Sequence, residues 1–259
     1  MADTSNKLVS SMGRAELDRI FVRNYDLNKD LLGKITFAQM VYLMIVGRMP
    51  TAEEGRMVDT MLIVLVDHGM TTGAAAARMT FHSAPEAIQG AVAAAILGAG
   101  SVHLGSSEHC AKMLHDALPK DSKESDLDAI ALKTVEKRLA NNQLIPGIGH
   151  GIHTQGDPRA ERLFEVAQET KVYGRYCELL RKIGKIADQK VGKHLPVNVT
   201  GAIAAISLDM GIHWQMSKSF AILGRALGGL AHVGEEIRRP IARGISNLIR
   251  DNLQYEPEK

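Results

Sequence analysis

Apolar residues in this chain recur every three or four positions, in bursts divided by short polar turns. The stretch "FAQMVYLMIVGRMP" at 37–50 keeps that spacing and predicts a helix that stops at Gly47 and Pro50. "TAEEGRMVDTMLIVLVDHG" opens on Thr51, with Glu53 and Glu54 in the next turn. A capping threonine followed by acids predicts the start of a second helix there. "APEAIQGAVAAAILGAG" at 84–100 predicts another, with Pro85 in its first turn. Amphipathic helices are expected over 121–143, 159–170 and 173–193, and more apolar ones over 199–211 and 219–239. No stretch alternates with a clean period of two, so the fold class expected is all-α. Several helices are apolar almost all round, which implies a multi-layer interior or an oligomer. The small residues Ala74 to Ala77 and the run at 90–100 would let helix backbones approach closely. The charged segment 120–125 reads as a surface connection, and no internal repeat is present.

Composition changes this picture little. A chain of 259 residues can bury a large core, as one domain or two closely packed ones. Its 31 basic and 29 acidic side chains leave a formal charge of +2. That balance predicts no nucleic-acid partner and no acidic membrane surface, though local arginines can still hold a small anion. Cys110 and Cys177 stand far apart with no CxxC, so neither a disulfide framework nor a metal site is expected, and a reduced, cytoplasmic setting fits best. The N-terminal stretch has early acids and no apolar core of a signal peptide. The longest apolar runs are too short to span a bilayer. Asn198-Val199-Thr200 matches the glycosylation acceptor pattern. With no secretory route expected, it reads instead as the start of a core helix.

Candidate chemistry lies where polar residues interrupt apolar elements. Asp67 and His68 end an apolar helix. A buried pair there needs partners, since unpaired burial of a polar group costs about 2–7 kcal/mol. A satisfied helix terminus would account for the pair as well as a site would. His103 stands in a Gly- and Ser-rich turn, which fits a surface loop as well as a ligand contact. In "IPGIGHGIHTQGDPRAERL", Pro146, Gly147 and Gly149 force an irregular loop that leads to His150, His153 and an Asp157-Pro158-Arg159 step into a helix. The spacing is neither a phosphate-cradling loop nor a zinc signature. Arg225 interrupts an apolar helix. It is either half of an internal Arg–Asp bridge or a planar fork for a carboxylate ligand. Taken together, histidines and arginines on helix ends and loops form a set for binding a polycarboxylate and moving protons.

The order "DHG", "GAGSVHLG", "PGIGHGIHTQGDPRA", "NVTG", "GRALGG" resembles the citrate synthase superfamily, and looks closest to citryl-CoA lyases and the lyase module of ATP-citrate lyase. The similarity runs from "LMIVGRMPT" to "GRALGGLAH". It implies a citrate-synthase-like helical fold shortened at its N-terminus. A large domain would comprise 1–107 plus 204–259, and a smaller inserted domain 108–203 would carry the coenzyme A loop. By the same resemblance, His68 binds the oxaloacetate end of the substrate, His103 steadies the thioester carbonyl or enol, and His150 stands beside the substrate's hydroxyl or keto oxygen. Pro146, Gly147, Ile148 and Gly149 receive coenzyme A by their backbone. Arg159 and Arg225 bind carboxylates, and Arg243 matches an arginine supplied by a neighbouring subunit. The implied activity is retro-aldol cleavage of a 3-hydroxyacyl-CoA such as citryl-CoA, with His150 as base. Coenzyme A is then part of the substrate, and no cofactor is tightly held. The implied partners are acyl-CoA and keto acid small molecules, in a homo-oligomer of at least two copies. Two departures stand out. Thr200 occupies the place of an aspartate that handles the acetyl methyl proton, and Gly151 the place of an arginine common in lyases. A condensing enzyme, a non-catalytic CoA-ester-binding subunit and a bland helical scaffold are the alternative readings.

Overall fold

The first long helix begins where the Thr36 hydroxyl accepts from Gln39 N and the Gln39 side chain accepts from Thr36 N. This reciprocal capping box opens α1 (Phe37–Val46), and Gly47 at φ 92° ends it. Thr51 and Glu54 form a second capping box at the head of α2 (Ala52–Ile63), as the sequence predicts. The computed structural model describes residues 8–100, 106–119 and 121–258. The helices that follow are α3 (Thr72–Ser83), α4 (Ile88–Leu97), α5 (Ser106–Ala117), α6 (Leu127–Ala140), α7 (Pro158–Glu169), α8 (Arg175–Val191), α9 (Val199–Asp209), α10 (Ser219–Arg238) and α11 (Ala242–Asn252).

Three features depart from the sequence reading. An antiparallel sheet of three short strands, β1 (Gly13–Ala15), β2 (Ile20–Val22) and β3 (Tyr25–Asp26), precedes α1. Its strands are two or three residues long and mostly exposed, too short to print an alternating pattern. Pro85 lies ahead of α4 rather than inside it. Ala87 N donates to Ala84 O at 3.0 Å, so Pro85 sits at the second position of a tight turn that its fixed φ favours. The helices α5 and α11 arise from stretches whose polarity hides their apolar stripe.

The core is built around α9, whose residues from Val199 to Leu208 are all buried. Helices α5, α7 and α8 pack around it, and α1 and α2 extend the same apolar cluster through Tyr42, Met57 and Met61. A second cluster joins α3, α4 and α10 through Ala77, Ala91, Ala95 and Val233. Small residues make this contact close. An added Cβ at Gly229 would stand 2.8 Å from the Ala95 Cβ, and one at Gly73 would stand 2.6 Å from the Ala95 carbonyl. No described helix is long and apolar enough to cross a membrane.

Candidate active site

Between the two clusters lies a cavity of about 630 Å³, the size of a small-molecule site. Its walls come from five places. The turn after α2 supplies His68, the loop before α7 supplies Gly149 and His150, and α7 supplies Arg159. Thr200 comes from the first turn of α9, and Arg225 from α10.

Asp157 organises this wall. It is 1% exposed and caps α7 by accepting from Arg159 N. Oδ1 also accepts from Arg159 Nε at 2.9 Å, while Oδ2 accepts from Arg159 Nη2 at 3.0 Å and from Val199 N at 2.8 Å. One carboxylate therefore fixes the start of α7, the start of α9 and the plane of the Arg159 guanidinium. Burial pushes its acidity toward the neutral form. The Arg159 guanidinium and the Val199 amide outweigh that and hold the carboxyl below the usual range.

Arg225 is held differently. Among the described residues it has no hydrogen bond and no ion pair, so the internal Arg–Asp bridge is not made. Burial, with Arg159 nearby, pushes its pKa down, and Asp67 partly offsets this. A guanidinium keeps its charge under such pressure. Two cations, one clamped and one without a partner, thus face one cavity.

Beside them, His68 and His150 are pushed toward the neutral form. Burial, then Arg159 and Arg225, depress the His68 pKa below its ordinary value. The His150 pKa is also depressed by burial, with Asp157 opposing and His153 and Arg159 reinforcing. His153 bridges the two, its ring centroid 4.6 Å from that of His150 and 6.4 Å from that of His68. His150 Nδ1 accepts from Ile152 N and His153 N, each at 3.0 Å. Nε2 lies 3.2 Å from Arg159 Nη2, which can only donate, so donors meet the ring at both nitrogens. A ring met by donors on both sides is placed to accept.

Asn198 and Thr200 complete the floor. Asn198 Oδ1 accepts from Gly201 N and caps α9, and Nδ2 donates to Gly149 O at 2.8 Å. The amide of the apparent glycosylation acceptor is spent on structure. The loop at 146–149 joins α9 through an isolated antiparallel bridge between Ile148 and Val197, and Asn198 N donates to Gly147 O. Gly147, at φ 85°, rests directly on Gly201. A Cβ added there would lie 2.9 Å from Gly201 Cα and 2.6 Å from Cys110 Sγ.

Of the residues singled out in the sequence, His68, Gly149, His150, Arg159, Thr200 and Arg225 meet at this cavity. Pro146, Gly147 and Ile148 support the loop from behind and do not line it. Arg243 lies exposed on α11, away from the cavity of its own chain. His103 lies outside the described residues. Gly151 lines the cavity, and a Cβ added to it meets nothing within 4 Å, so the missing side chain is not excluded by crowding.

Sequence reasoning overlooked a buried network behind His68. Arg78, 2% exposed, pairs with Glu235 and with Glu236, the latter at 2.9 Å, and its Nε donates to His232 Nδ1 at 3.1 Å. His232 Nε2 then donates to Asp67 Oδ1 at 3.0 Å, which anchors the turn that carries His68. The one sequence signal was an arginine inside "GAAAARM", among residues too small to shield it.

A helical fold with a mixed histidine and arginine pocket defines the class, and the comparisons give the family. The description "Citrate synthase, C-terminal domain" matches residues 15–250, and the chain belongs to the citrate synthase family. It is similar to citryl-CoA lyase from Hydrogenobacter thermophilus, with 31% identity, a TM-score of 0.87 and coverage of 98% of this chain and 96% of that one. A citrate synthase from Deinococcus radiodurans is 27% identical over 225 residues, 85% of this chain and 56% of that protein. The chain thus spans about half the length of the curated relatives it matches. The fold also matches ATP citrate lyase from Methanothrix soehngenii, solved with citrate and coenzyme A. There the TM-score is 0.77 at 16% identity, covering 99% of this chain and 43% of that one.

Proposed function

We propose that this protein is a carbon–carbon lyase that cleaves a 3-hydroxyacyl-CoA such as citryl-CoA to acetyl-CoA and oxaloacetate. The observation that carries this reading is the cavity itself. Arg159, Arg225, His68 and His150 line it together with the hydroxyl of Thr200, which by the resemblance stands in place of a carboxylate. The arginines suit a dicarboxylate. His150 on the cavity wall suits the base that takes the proton from the oxygen that changes from hydroxyl to ketone as the carbon–carbon bond breaks. By the resemblance, His103 would steady the enolate oxygen.

The missing carboxylate should slow condensation more than cleavage. Condensation starts by taking a proton from a thioester methyl, which needs a real base. Cleavage ends by giving a proton to an enolate that has already formed, which water can do. A threonine hydroxyl is no base near neutral pH. The second reading, a condensing enzyme, draws support from relatives named citrate synthase. In either case we propose a cytoplasmic homo-oligomer in which Arg243 of a neighbouring copy approaches the substrate.

The test is to incubate the purified chain with citryl-CoA and follow acetyl-CoA and oxaloacetate. Cleavage supports the lyase. Coenzyme A release only from acetyl-CoA plus oxaloacetate would replace it with the synthase. Tight binding without turnover in either direction would leave a CoA-ester-binding subunit.

A further inference from the structure

Ser106, the first residue of α5, also lines the cavity, and its hydroxyl stands 2.7 Å from that of Thr200. Thr200 Oγ1 in turn stands 2.7 Å from Asn198 Oδ1. The direction of this chain is fixed at its far end. Asn198 Nδ2 donates to Gly149 O, so the atom facing Thr200 is the amide oxygen, which also accepts from Gly201 N. Thr200 has one hydroxyl proton and gives it to Asn198. It has none left for Ser106, so Ser106 gives its own proton to Thr200.

The consequence is an uncharged patch that only accepts. Both hydroxyl protons are committed, and Ser106 and Thr200, which both line the cavity, have only lone pairs left to offer. An aspartate at position 200 would accept hydrogen bonds too, but it would be a base and would carry a charge that repels an enolate. The hydroxyl pair keeps the acceptor geometry without either property.

We propose that Ser106 is a positioning residue. Together with Thr200 it accepts one O–H of a water and so aims the other at the enolate carbon. This inference rests on the lyase reading above. In the step, the enolate electron pair forms the new C–H bond as the water O–H breaks. The hydroxide left behind is neutralised by the proton that His150 took from the substrate's hydroxyl. Cleavage then needs no carboxylic acid and consumes no net proton, whereas the reverse step would need a hydroxide held on the same patch.

The experiment uses the full chain and citryl-CoA. Ser106→Ala is expected to lower kcat about tenfold with KM unchanged. It should also raise the solvent deuterium isotope effect on kcat, because protonation becomes the slow step. Ser106→Thr, which keeps the hydroxyl, should recover most of the rate. In a Thr200→Asp background, where a carboxyl can deliver the proton, Ser106→Ala should change little. An unchanged kcat in Ser106→Ala, or a fall with an unchanged isotope effect, would overturn the water role while the lyase reading stands. Failure of the unaltered chain to cleave citryl-CoA would instead reject the lyase reading, and this inference with it.

Discussion

Arg159 and Arg225 face the same cavity but are held in opposite ways. Asp157 takes two of the Arg159 nitrogens, so that side chain is pre-oriented before any ligand arrives. Arg225 keeps its whole fork free among the described residues, and an anion is its natural partner. Arg225→Ala should therefore weaken oxaloacetate binding by about 10- to 100-fold, the range of a hydrogen bond to a charged group. Arg225→Lys should not restore it, because an ammonium cannot bind a carboxylate bidentately. Titration calorimetry checks both, and binding unaffected by Arg225→Ala would remove it from the site. His68 supplies the pH dependence. Burial and the two arginines hold its pKa below 6.5 in the free protein. A dianion between those groups cancels their charge and favours the imidazolium, so the pKa must rise on binding. Binding should then take up protons, and affinity should increase as pH falls from neutrality through the raised pKa of the bound state. Calorimetry in two buffers of different ionisation heat reads this directly, and equal apparent heats would rule it out. At this scale the identities of His68, His150, Arg159 and Arg225 were visible in the sequence, because each breaks an apolar pattern. Ser106 was not visible, since a serine at a helix start looks ordinary until its partner is known.

At the scale of elements, the helices followed from periodicity and caps. What periodicity missed were partners supplied across the chain. Helix α8 begins at Gly174, which has no side chain to cap with. Asp209, at the end of α9, does it instead by accepting from Gly174 N, Tyr176 N and Cys177 N. The loop at 146–149 is placed the same way, by backbone contact between Gly147 and Gly201. A Cβ added to Gly201 would lie 2.6 Å from Gly147 O and 2.8 Å from its Cα, and neither atom can swing aside. Gly201→Ala should therefore displace the loop and shift Gly149 and His150. The expected result is a loss of about 1–3 kcal/mol in stability, with a larger loss of turnover than of stability. Unfolding midpoints compared with cleavage rates would check this, and normal turnover would show that the loop tolerates the shift. The sequence pattern GxG at 147–149 suggested an irregular loop. Nothing in it named the second glycine surface fifty positions away.

The whole molecule is tied together by charges buried between elements. Arg78 on α3 pairs with Glu235 and Glu236 on α10 and touches His232, which holds the Asp67 turn. Glu236 Oε1 also accepts from Ile241 N and Ala242 N, so it caps α11. Removing one partner strands a buried guanidinium, and Glu236→Ala should cost about 3–5 kcal/mol. Chemical denaturation measures it, and a loss near zero would mean that Glu235 and water suffice. The exposed face is equally informative. Leu227, Leu230 and Ile237 on α10, with Leu248 and Ile249 on α11, stand open to solvent in the single chain. We expect a second copy to cover them, so sedimentation should give at least a dimer, and a monomer at micromolar concentration would contradict that.

By itself, the sequence determined the local structure and the chemical inventory. Periodicity and capping residues specify helices because they act within a few positions, and the motif order placed the chain in its family. Only the tertiary structure decided which inventory is used. It brought Ser106 within hydrogen-bond reach of Thr200, set the Arg159 guanidinium against His150 Nε2, and left Arg225 without a partner among the described residues while Arg159 was clamped. Those outcomes depend on burial and on donors supplied from distant segments. A one-dimensional pattern cannot carry the direction of a hydrogen bond whose other end lies about a hundred residues away.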